Sequence, residues 1–218
     1  MLFRSTIGRE FGSGGHQIGK LLAEELQIPF YDHELLERAA KDSGLCEEIF
    51  ENQDEKPTSS FLYSLVMDTY SFGYSNNVIG EMPLNQKVFL AQFDSIRKLA
   101  EEGPCVIIGR CADYALEENP NVLSVFIHAD FERRVQRISA IYNLSDNKAR
   151  DRIRKNDKSR SSYYNYYTSK SWGAAASYHI SLDSSIFGID GCVSLLKDIV
   201  ARKEAGPVGA ITEKLEQA

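Results

Sequence analysis

The strongest constraint on this chain lies at its amino end. A short apolar run, Leu2 to Ile7, leads directly into Gly8-Arg9-Glu10-Phe11-Gly12-Ser13-Gly14-Gly15 and then into an amphipathic segment from about His16 to Gln27. A strand, a loop with four glycines and a helix start in succession let backbone N–H groups converge on one anion. Phosphate is the anion expected there. Glycine suits the loop because the backbone must take positive φ values and because a Cβ would hold phosphate oxygens away from the amides.

The rest of the chain alternates. Ile18, Leu21, Leu22 and Leu26 recur at helical spacing until Ile28-Pro29, and Pro29 to Asp32 reads as a short second strand. A helix is expected from His33 to about Lys41, closed by Ser43-Gly44. Residues 52 to 60 read as an exposed connection, and the aromatic-rich stretch from Phe61 to Gly80 gives no clear element. Val88, Phe89, Phe93, Ile96 and Leu99 give a helix from Leu84 to Ala100, stopped at Gly103-Pro104. Cys105 to Ile108 and Asn121 to Ile127 are continuous apolar runs, as strands of a parallel sheet covered on both faces require. Further helices are expected at Asp130 to Tyr142 and Asp190 to about Lys203, with a last strand at Tyr178 to Leu182 between them. The class is α/β. One domain over 1–204 is expected, with a helical insertion over about 52–103, a lid over about 145–172 and a fraying tail over 205–218.

A net charge of −6 argues against nucleic-acid binding through the whole surface, so any phosphate affinity must be concentrated. One stretch is unlike the rest. Between Ser145 and Trp172, Lys148, Arg150, Arg152, Arg154, Lys155, Lys158, Arg160 and Lys170 alternate with Asp146, Asp151 and Asp157, and Tyr163, Tyr164, Tyr166 and Tyr167 follow. Such a segment can close over a polyphosphate, or it can be a solvated helix with ion pairs four residues apart. The tyrosines read as the packing face of a helix against the body or a second subunit, with base stacking as the other use. Cys46, Cys105, Cys111 and Cys192 are scattered, which supports neither a zinc site nor a disulfide framework and fits a reducing cytoplasm. No leader and no apolar run long enough to cross a bilayer is read, so no membrane role is expected.

Polar residues follow each strand: Asp32 with Arg38, Gly109-Arg110 with Asp113, Arg134 and Arg137, and Asp157 with Arg160 in the basic segment. In an open α/β sheet these positions fall at the ligand-binding edge. On the loop residues 9–15, Phe30-Tyr31-Asp32 with Arg38, Gly109-Arg110-x-x-Asp113, Asp157-x-x-Arg160 and Leu182-Asp183-Ser184, the chain resembles the P-loop nucleoside monophosphate kinases, most closely the cytidylate kinase-like family, from Phe3 to about Leu196. The resemblance implies a P-loop NTPase fold with a five-stranded parallel sheet flanked by helices and a helical, arginine-rich lid. It implies transfer of the γ-phosphoryl of ATP, with Mg2+, to a small phosphorylated acceptor, CMP or dCMP first. The alternatives are a nucleotide-binding sensor without turnover and a P-loop kinase with a non-nucleotide acceptor.

Within that resemblance Gly12, Ser13, Gly14, Gly15, His16 and Gln17 would bind phosphate. Arg38 and Arg110 would hold the acceptor phosphate, with Asp113 facing the acceptor and Asp32 either touching acceptor or magnesium or capping the next helix. Arg134, Arg137, Arg154 and Arg160 would stabilise the transferring group, and Asp157 would orient an arginine or the acceptor. One departure stands out. The pattern GxxxxGK[ST] places its lysine on Gly15 and its hydroxyl near Gln17, leaving Arg9 on the loop, or His16, to supply the missing charge. Lys20, a helical turn later, reads as an exposed helix residue.

Overall fold

The computed structural model describes residues 3–44 and 83–205. Five strands form one sheet in the order β2-β3-β1-β4-β5: β1 (Arg4–Arg9), β2 (Phe30–Tyr31), β3 (Cys105–Ile108), β4 (Val122–His128) and β5 (Ile180–Asp183). Every pairing is parallel, with Ile7 opposite Ile108 on one side and Val125 on the other. Parallel strands need crossovers, and helices supply them here. The helices are α1 (Gly15–Leu26), α2 (His33–Ser43), α3 (Leu84–Glu102), α4 (Ala112–Ala115), α5 (Phe131–Tyr142), α6 (Asp146–Thr168) and α7 (Ser184–Glu204).

Both faces of the sheet are covered, which is why β3 reads as an unbroken apolar run. Val106 and Ile108 pack with Ile18 and Leu22 of α1 and Leu196 and Val200 of α7. Cys105 and Ile107 turn the other way, onto Leu35 of α2 and Ile96 and Leu99 of α3. Further along that second face, Phe126 of β4 meets Tyr163, Tyr164 and Tyr167 of α6, so the tyrosine cluster packs against the body. The amino-terminal half of α6 is held separately, by Ala149 and Ile153 against Val135 and Ile138 of α5.

Three boundaries differ from expectation. The first strand runs on to Arg9, because Gly8 and Arg9, read as loop, continue the ladder opposite Phe126 and Ile127 of β4. The last strand begins at Ile180, because Ala175–Ser177 forms a 3-10 turn that Tyr178 closes with its amide on Ala175 O. The final helix begins at Ser184, where Asp183 caps the Ser185 amide, and bends at Gly188, whose φ of +66° is non-helical. The stretch from Phe61 to Gly80 and the tail lie outside the described residues. Of the insertion expected over about 52–103, α3 is the described part.

Candidate active site

Because all five strands run the same way, their carboxyl ends meet at one edge. β1 sits between β3 and β4, so the chain reverses direction of sheet growth around it, and ligands bind at that kind of crevice. The glycine loop follows β1 at this place. Gly12 and Gly14 take φ of +86° and +84°, which only glycine adopts without strain. Ser13 holds the turn from inside: its Oγ donates to Glu10 O at 2.9 Å and accepts the Gly15 amide at 3.3 Å. Ser184 Oγ donates to Ser13 O at 2.6 Å, tying the loop to α7. The Ile18 amide is the first to close a helical bond, onto Gly14 O, so the opening amides of α1 at His16 and Gln17 are those a helix leaves for an anion.

Above the loop lies a cavity of about 640 Å³ whose walls include Arg9, Arg110, Arg137 and Arg160, with His16 and Gln17 from α1 and Asp32 from the end of β2. Four guanidiniums against two carboxylates, Glu10 and Asp32, make it a cationic pocket in an acidic protein. Arg137 donates to Gln17 Oε1 at 2.9 Å, and Arg160 to Arg9 O at 3.4 Å. Asp32 does not cap α2; its Oδ1 takes Arg110 Nη1 at 2.7 Å and its Oδ2 lies 3.1 Å from His16 Nε2. Burial resists ionisation of Asp32, but the His16 hydrogen bond and the Arg110 guanidinium outweigh it and hold the carboxyl well below the usual range. Arg110 sits in a run of three left-handed residues, Gly109, Arg110 and Cys111, with φ of 67°, 52° and 54°. Two of them carry side chains, a strain of the kind stored at functional sites.

The other candidate residues sit elsewhere. Arg134 and Asp157 form a largely buried pair against the loop: Asp157 accepts from Arg134 and from the Phe11 amide, and Arg134 also reaches Phe11 O at 3.4 Å. Asp157 thus orients an arginine and the loop. Arg154 stacks over Phe131, 5.5 Å from its centroid, outside the cavity lining. Arg38 pairs with Glu102 and Asp42 on the surface, also outside the lining. Asp113 accepts from Tyr164 OH at 2.6 Å and borders a separate cavity of about 200 Å³.

Sequence reasoning misses a second wall of the cavity. Ile138, Ile141 and Tyr142 of α5 line it, as do Asn156 and Ser159 of α6. The signal available is spacing: Asn156, Ser159 and Arg160 fall three and four residues apart, on one face of the basic helix. Among the described residues no group of three or more His, Cys, Asp or Glu side chains could hold a metal ion. Cys105, Cys111 and Cys192 are buried thiols. No described helix is long and apolar enough to cross a membrane.

Comparison with known proteins agrees with this geometry. No curated protein matches the chain. Its structure is similar to that of an uncharacterized protein from Eubacterium ventriosum, at 29% identity and a TM-score of 0.69, over 91% of this chain and 98% of that one. It shares its fold with a shikimate kinase from Bacteroides thetaiotaomicron, at 14% identity and a TM-score of 0.51, over 91% and 98% of the two chains. The model of the cytidylate kinase-like family matches residues 5–186, which takes in the glycine loop, Asp32, Arg110 and the whole of α6, and the chain belongs to that family.

Proposed function

We propose that this protein transfers the γ-phosphoryl of ATP to a small phosphorylated acceptor, with CMP or dCMP the first acceptors to test. The observation that carries the reading is the convergence of the loop amides with Arg9, Arg110, Arg137 and Arg160 around one cavity. Phosphoryl transfer asks little covalent chemistry of a protein. It asks for positioning and for neutralisation of charge spread over phosphate oxygens, and amides plus guanidiniums supply both. A volume of about 640 Å³ suits a nucleotide-sized ligand.

Each group has a task in that reading. The amides at His16 and Gln17 bind phosphate oxygens, Arg137 and Arg160 neutralise them from α5 and α6, and Arg110 fixes Asp32 as a carboxylate on the acceptor side. Asp32, held ionised on the cavity wall, is the carboxylate that would meet magnesium carried in on the phosphates, which would supply further neutralisation of the transferring group. Buried thiols and the family's small-molecule chemistry fit a reducing cytoplasm.

A second reading, a nucleotide-binding sensor without turnover, rests on the bare Gly15 where a phosphate-loop lysine is expected. One experiment separates them. ATP with magnesium is offered with CMP, dCMP, UMP, AMP and dephospho-coenzyme A, while ADP formation and melting temperature are followed. The kinase reading expects ADP with a pyrimidine monophosphate. A thermal shift without ADP from any acceptor favours the sensor, and no shift at millimolar nucleotide ends both.

A further inference from the structure

Gly15 and Gly19 lie four residues apart on the face of α1 that meets the sheet. A Cβ at Gly19 would stand 2.6 Å from Ile108 Cδ1 and 3.0 Å from Ile7 Cδ1. A Cβ at Gly15 would stand 2.6 Å from Arg9 Cβ and 3.2 Å from Ile127 Cβ. Arg9 and Ile127 are register partners on β1 and β4, so the first turn of α1 is pressed onto the ends of both strands. The obstruction at Gly15 is not the far end of a flexible side chain. It is the first carbon of another residue's side chain, which cannot move without moving β1.

Position 15 is where the pattern GxxxxGK[ST] puts its lysine. Here the volume that such a lysine's stem would leave through holds the stem of Arg9. Strand alternation puts Arg9 on the same side of β1 as Ile7, which faces α1, and carries its guanidinium to the wall of the cavity. Its charge is felt at Asp32 across that space. Other cations fit the vacancy less well. Of the side chains nearest a Cβ at Gly15, those of Arg9 and Ile127, only Arg9 carries charge, and Lys20 is exposed and outside the cavity lining.

We propose that Arg9 does from the strand what the phosphate-loop lysine does from the helix, contacting the β- and γ-phosphates of the bound nucleotide, and that residues 9 and 15 are mutually exclusive: a side chain at one requires glycine at the other. The proposal rests on the cavity being a polyphosphate site. A guanidinium in this role offers two parallel donors where lysine offers a point charge.

The test uses the full chain, with inorganic tripolyphosphate and magnesium-ATP as probes. Wild type should gain melting temperature with both. Arg9→Met should bind tripolyphosphate about 10-fold or more weakly and lose on the order of 10²-fold in kcat with the best acceptor. Gly15→Lys alone should lose tripolyphosphate binding, and Arg9→Gly with Gly15→Lys should regain it. Gly15→Ala measures the steric half separately: it should lower the melting temperature much more in the Arg9 background than beside Arg9→Gly. Wild-type tripolyphosphate affinity in Arg9→Met overturns the proposal while leaving the phosphate site standing. So does equal damage by Gly15→Ala in both backgrounds. Wild type that responds to neither probe removes the polyphosphate reading itself, and Arg9's role with it.

Discussion

The amide of Phe11 donates to Asp157 Oδ1 at 2.7 Å, joining the glycine loop to the middle of α6 across 146 residues of sequence. The other oxygen of the same carboxylate takes Arg134, whose Nε also lies 3.3 Å from Glu10 Oε2 as an ion pair. Glu10 in turn accepts the Ala129 amide at 3.0 Å. The loop is therefore strapped to α6, to α5 and to the connection after β4 by one short chain of charges, and its amides have a fixed aim before any ligand arrives.

Asp157→Ala should release that strap. The Phe11 amide loses its acceptor, and Arg134, whose side chain is 8% exposed, keeps Glu10 and the longer contact to Phe11 O but loses its shortest ion pair. Breaking a largely buried pair by removing one partner costs about 3 kcal/mol, here reduced somewhat by the partial exposure of Asp157. Urea unfolding at neutral pH should read a loss of about 2 kcal/mol or more, together with weaker ATP binding. A variant as stable as wild type would mean that α6 does not anchor the loop.

The strap also shows what a sequence yields and what it withholds. The strand, glycine loop and helix of residues 4–26 are legible because each step is local: an apolar run, residues that permit positive φ, and a helical period. Asp157-x-x-Arg160 is visible as a motif, yet nothing local says that the carboxylate turns to Phe11 while the guanidinium crosses to Arg9 O. Arg38 and Arg154 look equivalent to Arg110 in sequence. Glu102 takes the first and the Phe131 ring the second, choices made by tertiary neighbours far along the chain. Asp113 is likewise claimed by Tyr164, whose place on α6 depends on how the tyrosine face packs on Phe126.

Gly14 and Gly44 separate backbone strain from function. Both have positive φ, +84° and +70°, so a methyl at either costs about 1–2 kcal/mol for left-handed backbone alone. At Gly44 nothing lies within 4 Å of the new Cβ, whereas at Gly14 it would meet Ile189 Cδ1 at 2.4 Å and Arg137 Nη1 at 2.8 Å. Those atoms end flexible side chains and can swing aside, so the two alanine variants should melt at similar temperatures. Only Gly14→Ala should lose nucleotide affinity, because the atom it displaces is a guanidinium of the cavity. Equal ATP affinity in the two variants would detach Gly14 from the site.

Asp113 gives a pH prediction with a definite sign. Burial pushes its carboxyl up, and the Tyr164 hydrogen bond only partly offsets this. The folded state therefore holds the proton more tightly than the unfolded chain, in which an aspartate titrates near about 3.9. Its contribution is fully present below that pH and is lost as pH rises through the folded value. Asp113→Asn keeps an oxygen for Tyr164 and buries no charge, so it should be more stable than wild type at pH 7 and lose that advantage near pH 4. Asp32 runs the opposite way: its folded value is depressed, so its contribution is present at neutral pH and fades only in acid. Chemical denaturation of Asp113→Asn at the two pH values decides it, and an asparagine variant less stable than wild type at pH 7 would show that the ionised carboxylate is the form the fold prefers.

Arg110 and Arg38 follow successive strands and carry the same side chain, and their neighbours give them opposite fates. The Arg110 side chain is 2% exposed, and its Nη1 reaches both Asp32 Oδ1 at 2.7 Å and Ile108 O at 3.2 Å. Arg110→Ala should take from Asp32 its 2.7 Å guanidinium partner, destabilise by about 3–5 kcal/mol, and lower phosphoryl transfer by roughly 10³-fold. Arg110→Lys should not rescue it, because a single ammonium on a flexible stem cannot reproduce one planar group held between a carboxylate and a carbonyl. Arg38 instead lies on the surface with Glu102 and Asp42, where solvent screens the pair. Arg38→Ala should therefore leave both melting temperature and turnover within error of wild type. Should turnover fall while the fold stays intact, the Glu102 pair is one that Arg38 gives up when the acceptor arrives, and the acceptor side of the cavity extends to α2.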